Sequence, residues 1–374
     1  MLNKYCFEAL DRTLNDIMRH DMACNEYVPF GGKVVVLGGD FRQILPVISK
    51  GSRSDIVGST INASYLWKHC KVLRLTKNMR LLNSQSSSAM EDIKNFAEWI
   101  LQVSDGKLNC HGGEDSEIEI PADLLIDDSE CPLNKLVEFT YPAMLTNLTL
   151  KNYKYFEERA LLSPTLDSVE NVNNMMLSMI PGEEKEYLSS DSTCRSDEDS
   201  EIDAEWFTYE FLNDIRCYGI PNHRLILKVG VPIMLLRNID QSGGLCNGTR
   251  LIVSDLGKNV IGAHVVTGQR AGEKIFIPRM NLIPSDGGLP FKFQRRQFPI
   301  SLCFAMTINK SQGQSLPHVG LYLPKPVFTH GQLYVALSRV KSRKGLKILI
   351  LNDDGTLSKS TKNVVYTEVF DNIY

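Results

Sequence analysis

The chain has 374 residues, of which 43% are hydrophobic and 23% charged, a balance typical of a globular protein with two or three domains. Its formal net charge of −3 excludes an overall basic protein, so any nucleic-acid groove must gather positive charge locally. Nine cysteines without a C-x-x-C pair indicate reduced thiols inside the cell. Charged residues near the start argue against a signal peptide, and no apolar run approaches the ~20 residues that span a bilayer.

The first third of the chain contains two predicted helices and two predicted strands. Apolar residues at helical spacing over residues 3–19 predict an amphipathic helix whose apolar side faces a core. Residues 33–37 and 71–75 are short apolar runs that predict buried strands, and residues 91–103 predict a second amphipathic helix. The glycine- and acid-rich stretch 104–134 is interpreted as a surface excursion.

The middle of the chain begins with an apolar run and then turns acidic. Residues 159–163 predict a strand, and residues 166–177 predict a helix that Asp167 or Ser168 could cap. Residues 182–205 are acidic and serine-rich, which is typical of a solvated loop without chemistry.

Short apolar runs separated by glycine follow over residues 225–283, and this spacing predicts a small barrel. Just beyond it, Lys292, Arg295 and Arg296 lie among three phenylalanines. Basic and aromatic side chains together suit a nucleic-acid single strand, and a solvated hinge is the alternative.

Polar residues follow two of the predicted strands. Gly39, Asp40 and Gln43 come directly after the strand at 33–37, in the phrase GGDFRQILPV. Ligands of α/β sheets bind outside the carboxyl ends of the strands, so these residues are candidates for a site. After the apolar run 302–306 comes a polar turn with glycine, whose backbone N–H groups and lysine suit a phosphate.

The last predicted elements are a strand at 319–323, a helix that Thr329 caps and that reaches Val340, and a strand at 347–351. Arg339 lies near the end of this helix, where its planar fork could bind a polyphosphate with two hydrogen bonds.

Several phrases resemble those of a known family. TINKSQGQSL and YVALSRV resemble the fifth and sixth motifs of superfamily-one helicases, and GDFRQILPV resembles the third. Together they are similar to the petite-integration-frequency (PIF) family of 5′→3′ DNA helicases, which is related to the RecD-like enzymes. CNGTRLIV and KVGVPIMLLRN resemble the 2B insertion of that family.

The resemblance implies an α/β fold with RecA-like motor domains, the first one partial, and an inserted small SH3-like β-barrel. It implies a remnant of the first motor domain (1A) at 1–135, and a second motor domain (2A) at 136–222 and 301–360. The 2B insertion is expected at 223–300, followed by a loose tail at 361–374.

The resemblance also assigns roles to individual residues. The catalytic candidates are Gln43, Arg80 and Arg339, which in the family contact the terminal phosphate of ATP. The nucleotide-binding set adds Gly39, Asp40, Gln312 and Gly313, and the DNA-binding candidates are Thr307, Asn309, Lys310 and Ser311. No metal ligand is assigned. ATP and Mg²⁺ are the expected cofactors, single-stranded DNA and DNA junctions the expected partners, and the nucleus, or the mitochondrion, the expected location.

Two motifs of the family are missing from the sequence. No G-x-x-x-x-G-K-[ST] loop occurs, and the Asp-Glu pair that holds magnesium is absent as well. Either the chain is a truncated or degenerate copy, or its coding sequence starts upstream of Met1. The expected function is a PIF-like ATP-dependent DNA helicase in repair, recombination and telomere maintenance, inactive as this chain alone. The alternative is a non-catalytic single-stranded DNA-binding protein or scaffold.

Overall fold

The computed structural model describes residues 1–18, 28–79, 87–108, 116–127, 130–147, 153–193, 208–217, 219–268, 270–284, 291–371 and 373. Helices and strands are mixed along the chain, so the fold is α/β. The α-helices are α1 (Lys4–Met18), α2 (Arg53–Gly58), α3 (Ser87–Ser104), α4 (Pro132–Thr140), α5 (Met144–Asn147), α6 (Tyr153–Glu157), α7 (Leu166–Met179), α8 (Tyr209–Asp214) and α9 (Gln332–Leu337). The strands are β1 (Glu117–Glu119), β2 (Arg159–Ser163), β3 (Lys185–Leu188), β4 (Ser190–Thr193), β5 (Arg224–Leu227), β6 (Pro232–Leu235), β7 (Arg250–Leu256), β8 (Val260–Val265), β9 (Lys274–Pro278), β10 (Met280–Leu282), β11 (Phe293–Gln297), β12 (Ile300–Leu302), β13 (Ala305–Thr307), β14 (His318–Leu323), β15 (Leu346–Ile350) and β16 (Ser360–Lys362).

The chain forms two compact units. Unit 1 comprises Met1–Pro132, Ser311–Pro317 and Leu321–Tyr374. Unit 2 comprises Leu133–Lys310 and His318–Gly320. Among the described residues, no helix is both long and apolar enough to cross a bilayer.

Unit 1 has a core formed by α3, α9 and short strands. Helix α3 packs against α9, and β1 pairs antiparallel with β16 so that Ile118 lies opposite Thr361. Ile118 is completely buried, and Leu124 is 1% exposed. The predicted surface excursion over 104–134 is therefore wrong for its later part, because apolar side chains in that part of the chain enter the core.

The end of the chain is also packed within unit 1. Thr361 is 4% exposed in its strand pair with β1, and Val369 is completely buried. The expectation of a loose tail from residue 361 is wrong, because backbone pairing and an apolar anchor hold this segment.

Helix α1 confirms the predicted helix but reverses its predicted face. Leu10 and Ile17, on the apolar side, are 45% and 64% exposed, whereas Glu8 and Asp11 are 6% and 1% exposed. The Asp11 carboxylate accepts a hydrogen bond from the Tyr65 hydroxyl at 2.8 Å. Buried carboxylates need such partners, and the partners lie on the polar side of α1, which therefore faces inward.

The two apolar runs at 33–37 and 71–75 do not form strands. Val34 and Val36 are 94% and 90% exposed, and Leu73 and Leu75 are 80% and 103% exposed. A strand requires a neighbour for its backbone hydrogen bonds, and the described residues pair with neither run. The prediction of buried strands is therefore wrong for the structure of this chain.

Unit 2 contains the parallel strand pair β2 and β13, against which α7 packs. Strand β2 and helix α7 confirm the predictions for these segments, although Thr165 is the N-cap of α7, accepting a hydrogen bond from the Ser168 backbone. Gly320 of β14 is required by close packing, because a Cβ there would lie 2.3 Å from the Thr140 hydroxyl oxygen and 2.5 Å from a methyl carbon of Leu161.

The other sheets of unit 2 are built from antiparallel strands. One sheet has the strand order β12-β6-β7-β8-β9, another has the order β10-β11-β4, and β3 pairs with β5. These strands confirm the predicted short strands of 225–283. They also show that the strand-rich region begins earlier, at β3, within the stretch that was interpreted as a solvated loop.

The basic cluster at 292–296 is structural at its centre. Arg295 is 1% exposed, and its guanidinium nitrogens lie 2.7–3.1 Å from the Asp191 carboxylate oxygens. Arg295 also donates to backbone carbonyls, and Phe293 and Phe298 are buried at 1% and 0%. The hypothesis that these side chains meet a single strand is therefore wrong for Arg295 and the two phenylalanines, because they are used inside unit 2.

Candidate functional site

A tight turn at residues 40–43, here called the Gln43 turn, carries the first predicted site residues. Asp40 shapes it, because the Arg42 amide donates to Asp40 Oδ1 at 3.0 Å and the Gln43 amide donates to the Asp40 carbonyl at 3.1 Å. Aspartate at the start of a turn commonly bonds to the backbone two residues later. Gly39 lies in the exposed segment just before the turn.

Side-chain hydrogen bonds connect the Gln43 turn to the polar turn that follows residue 310. Gln312 Nε2 donates to Gln43 Oε1 at 2.7 Å, and Gln43 Nε2 donates to Asp40 Oδ2 at 3.3 Å. The same Asp40 oxygen accepts a second hydrogen bond from the Tyr334 hydroxyl, whose oxygen lies 3.0 Å away. Three of the predicted nucleotide-binding residues therefore meet within unit 1, although 269 positions separate Gln43 from Gln312.

Tyr334 was not predicted from the sequence, and its environment is distinctive. Burial raises the pKa of Tyr334, and the neighbouring Asp40 carboxylate raises it further. The phenol therefore remains protonated and donates its hydrogen bond to Asp40 throughout the physiological pH range. The phrase YVALSR identified this helix, but its spacing could not reveal which side chain faces Asp40.

Arg339 is 7% exposed and binds backbone oxygens of the polar turn. Its Nη1 donates to the carbonyls of Ser311 at 3.3 Å and Gln314 at 2.9 Å, and its Nε donates to the Val335 carbonyl at 2.7 Å. In this structure the guanidinium fixes the turn that presents Gln312. The predicted contact of Arg339 with a terminal phosphate stays a prediction.

Two glycines permit this geometry. Gly313 has a φ of +82°, a left-handed conformation that favours glycine, in the turn that Arg339 binds. Gly331 is the N-cap of α9 with a φ of +70°, and a Cβ there would lie 2.2 Å from the Arg42 carbonyl oxygen. Gly331, rather than the predicted Thr329, begins the helix, because only glycine allows α9 to approach the Gln43 turn so closely.

The predicted DNA-binding residues lie at the end of β13 and in the 3₁₀ turn Ile308–Ser311. Thr307 is 7% exposed, and its hydroxyl has no hydrogen-bond partner in the described part of the protein. Lys310 is partly buried, and burial lowers the pKa of its ammonium group. Thr307, Asn309 and Lys310 belong to unit 2, whereas Ser311, which is completely buried, belongs to unit 1.

Two further expectations concern Arg80 and metal ions. Arg80 lies outside the described residues, so its predicted role stays a prediction. Within the described ranges, no group of three histidine, cysteine or carboxylate side chains could hold a metal ion.

The fold as a whole matches solved helicase structures. The Pif1 helicase from Candida albicans matches 99% of this chain and 74% of its own chain, with a TM-score of 0.60 and 21% identity. The Pif1 helicase from Bacteroides, solved in complex with ADP-AlF3 and ssDNA, matches 98% of this chain and 70% of its own chain, with a TM-score of 0.60 and 21% identity. These likenesses show an α/β helicase fold.

The sequence comparisons specify the family. The family described as PIF1-like helicase matches residues 1–114 of the chain. The family described as DNA helicase Pif1, 2B domain, matches residues 210–256. ATP-dependent DNA helicase PIF1 of Xenopus laevis is 27% identical over 325 residues, and that of Homo sapiens is 27% identical over 326 residues. These matches support a PIF-family helicase. Each match covers 86% of this chain but 41% of the relative, so the chain spans less than half the length of these relatives.

Proposed function

We propose that this chain provides the phosphate-sensing and DNA-coupling part of an ATP-dependent 5′→3′ DNA helicase. The observation that carries the proposal is the hydrogen bond of 2.7 Å between Gln312 and Gln43. It joins two polar turns that follow different segments of the chain, and amide groups in such turns can respond together to a terminal phosphate. Similarity to PIF1-like helicases favours this function over a non-catalytic scaffold.

The described residues fit one end of the polyphosphate of ATP but do not fit magnesium. The amides of Gln43 and Gln312, with the guanidinium of Arg339 behind them, offer donors to one end of a polyphosphate. The described residues contain no acidic metal cluster, and the sequence contains no P-loop, so they do not fit magnesium or the remainder of the nucleotide. The proposed role of this chain is therefore to sense the terminal phosphate and to position the groups around it.

The exposed runs at 33–37 and 71–75 support the same proposal. Exposed valine and leucine side chains such as those of Val34, Val36, Leu73 and Leu75 are typical of surfaces that other residues cover. A segment that supplies the phosphate cradle and additional strands would cover these side chains.

DNA binding is proposed for the turn at 307–311. The partly buried ammonium of Lys310 provides a positive charge at this turn. It can pair with phosphate oxygens, which are the main determinants of sequence-independent affinity.

We expect single-stranded DNA to bind with an affinity that falls steeply with salt, because neutralised phosphates release counterions. Lys310→Ala should weaken binding equally for all sequences and should reduce the slope of log affinity against log salt by about 1. Fluorescence anisotropy with labelled oligonucleotides over a salt series measures both effects. Lys258→Ala, which removes an exposed lysine elsewhere in unit 2, is the matched control. An affinity that Lys310→Ala leaves unchanged would exclude this turn from the DNA site.

The antiparallel part of unit 2 is proposed to be an SH3-like 2B insertion within the second motor domain. The 2B match over residues 210–256 supports it, and β3 and β4 extend the insertion toward residue 184. Both ends of the insertion lie near α7, because its first residues follow shortly after the end of α7 at Met179, and Asn173 of α7 donates to the Leu302 carbonyl at 3.3 Å.

We expect a variant in which a short linker replaces residues 184–302 to keep a cooperative thermal transition, since the ends of the removed segment are close together. A variant that lacks only residues 225–283 is the control, and it should melt non-cooperatively because β3 and β12 lose their pairing strands and β11 loses one of its two neighbours. Circular dichroism during heating compares the two. Loss of the transition in the first variant would contradict the insertion.

A further inference from the structure

His330 lies between the Gln43 turn and the end of the chain, and its side chain is completely buried within unit 1. One ring nitrogen, Nε2, is 2.8 Å from the carbonyl oxygen of Phe41. The other, Nδ1, is 2.8 Å from the backbone nitrogen of Tyr366. The imidazole therefore bridges two backbone groups that are far apart in sequence.

The two partners determine the protonation of the ring. A carbonyl oxygen can only accept, so Nε2 must carry the proton and donate to Phe41. A backbone N–H can only donate, so Nδ1 must be unprotonated and accept from Tyr366. Burial lowers the pKa of His330 to about 4, so the neutral ring that this arrangement requires is present at neutral pH.

The segment at 364–370, here called the C-terminal segment, is itself held to unit 1. Arg53 pairs with Glu368 at 2.7 Å, and its guanidinium lies 4.7 Å from the centre of the Tyr366 ring. Asn62 donates to the Val369 carbonyl at 3.0 Å. The Tyr366 N–H is therefore presented to His330 by an anchored segment.

We propose that His330 is a positioning residue, through which the C-terminal segment sets the conformation of the Gln43 turn. Two hydrogen bonds of opposite polarity hold one rigid ring, so a shift of Tyr366 changes the position from which Nε2 binds Phe41. The Phe41 carbonyl shares a rigid peptide plane with the Arg42 N–H, which donates to Asp40 Oδ1 at 3.0 Å, so its orientation affects the contact that shapes the Gln43 turn. The role of the Gln43 turn in phosphate sensing is taken from the proposed function. The contacts of His330 do not depend on that function.

The test measures amide hydrogen exchange of Arg42 and Gln43 by NMR in the full chain. His330→Leu preserves apolar volume but removes both hydrogen bonds, and it should accelerate exchange at these amides about tenfold. His330→Gln, whose amide offers both N–H donors and a carbonyl acceptor, should restore most of the protection. Arg53→Ala, which releases the C-terminal segment without touching His330, should accelerate the same amides.

Two controls separate this role from a general loss of stability. Ile118→Val weakens the core of unit 1 without removing either hydrogen bond of His330, and it should leave exchange at Arg42 and Gln43 unchanged relative to neighbouring amides. The ¹⁵N resonance of His330 Nδ1 should move in Arg53→Ala as its donor shifts. Unchanged exchange in His330→Leu and Arg53→Ala, or equal acceleration in Ile118→Val, overturns the proposal. DNA binding and ATP hydrolysis are separate measurements, so failure of the proposed function would be recognised independently.

Discussion

The 374-residue chain is expected to show no measurable DNA-stimulated ATP hydrolysis alone, and to gain it when joined to a segment that carries a P-loop and an Asp-Glu pair. The proposed contacts of Gln43 and Arg339 with a transferring phosphoryl group can act only when the nucleotide is already held in line. Within the joined protein, Arg339→Ala should lower turnover by roughly 10³-fold or more, in the range of arginine contacts to a transferring phosphoryl group. The structure adds a second reason, because Arg339 also holds the turn that presents Gln312.

The rate of phosphate release, measured with and without single-stranded DNA, tests this prediction. DNA binding by Arg339→Ala should remain largely intact, which separates a loss of turnover from a loss of folding. Arg343→Ala is the matched control, because it removes a nearby arginine whose ion pair with Asp123 lies at the surface. Robust hydrolysis by the unextended chain that survives Arg339→Ala would contradict the assignment of the site.

Arg295→Met is expected to destabilise unit 2 strongly. The substitution leaves the Asp191 carboxylate, which is completely buried, without its positive partner. Breaking a buried ion pair in this way costs about 3–5 kcal/mol, which corresponds to a fall of roughly 10 °C in the melting temperature of a unit of this size. Thermal unfolding measures the fall directly.

Arg296→Met is the control for this experiment, since Arg296 is the next residue along β11 and its side chain is exposed. The double variant Arg295→Met/Asp191→Leu should recover much of the lost stability, because replacing both members of a buried pair with apolar residues is often neutral. If Arg295→Met melts within a degree or two of the unchanged protein, the buried pair does not stabilise unit 2.

The sequence identifies the two polar turns that meet in the structure better than it predicts which side chains are buried. The polar turns at Gln43 and Gln312 were recognisable because short phrases place them after apolar runs, and the structure brings them together. Their supports, Tyr334 and His330, could not be recognised, because their partners are contacts between distant segments. Apolar patterning failed for α1, where it pointed the wrong face inward, since buried carboxylates with hydrogen-bond partners are invisible to hydropathy.

The prediction of strands at 33–37 and 71–75 was wrong for a different reason. Apolar periodicity reports which residues would be buried in a complete sheet, and the described residues do not supply the neighbours that would bury them. Arg295 shows the converse, because a basic residue among phenylalanines suggested a surface for DNA, whereas the carboxylate that neutralises it lies 104 positions away.

Gly331 has a consequence for the interpretation of other sequences. Any side chain at this position would push α9 away from the Gln43 turn, since a Cβ would sit 2.2 Å from the Arg42 carbonyl oxygen. A chain with the same phrases but with alanine or serine at this position could fold, yet its two glutamine-bearing turns would be separated. The residue at the position of Gly331 therefore indicates whether the two glutamine-bearing turns of a related chain can meet.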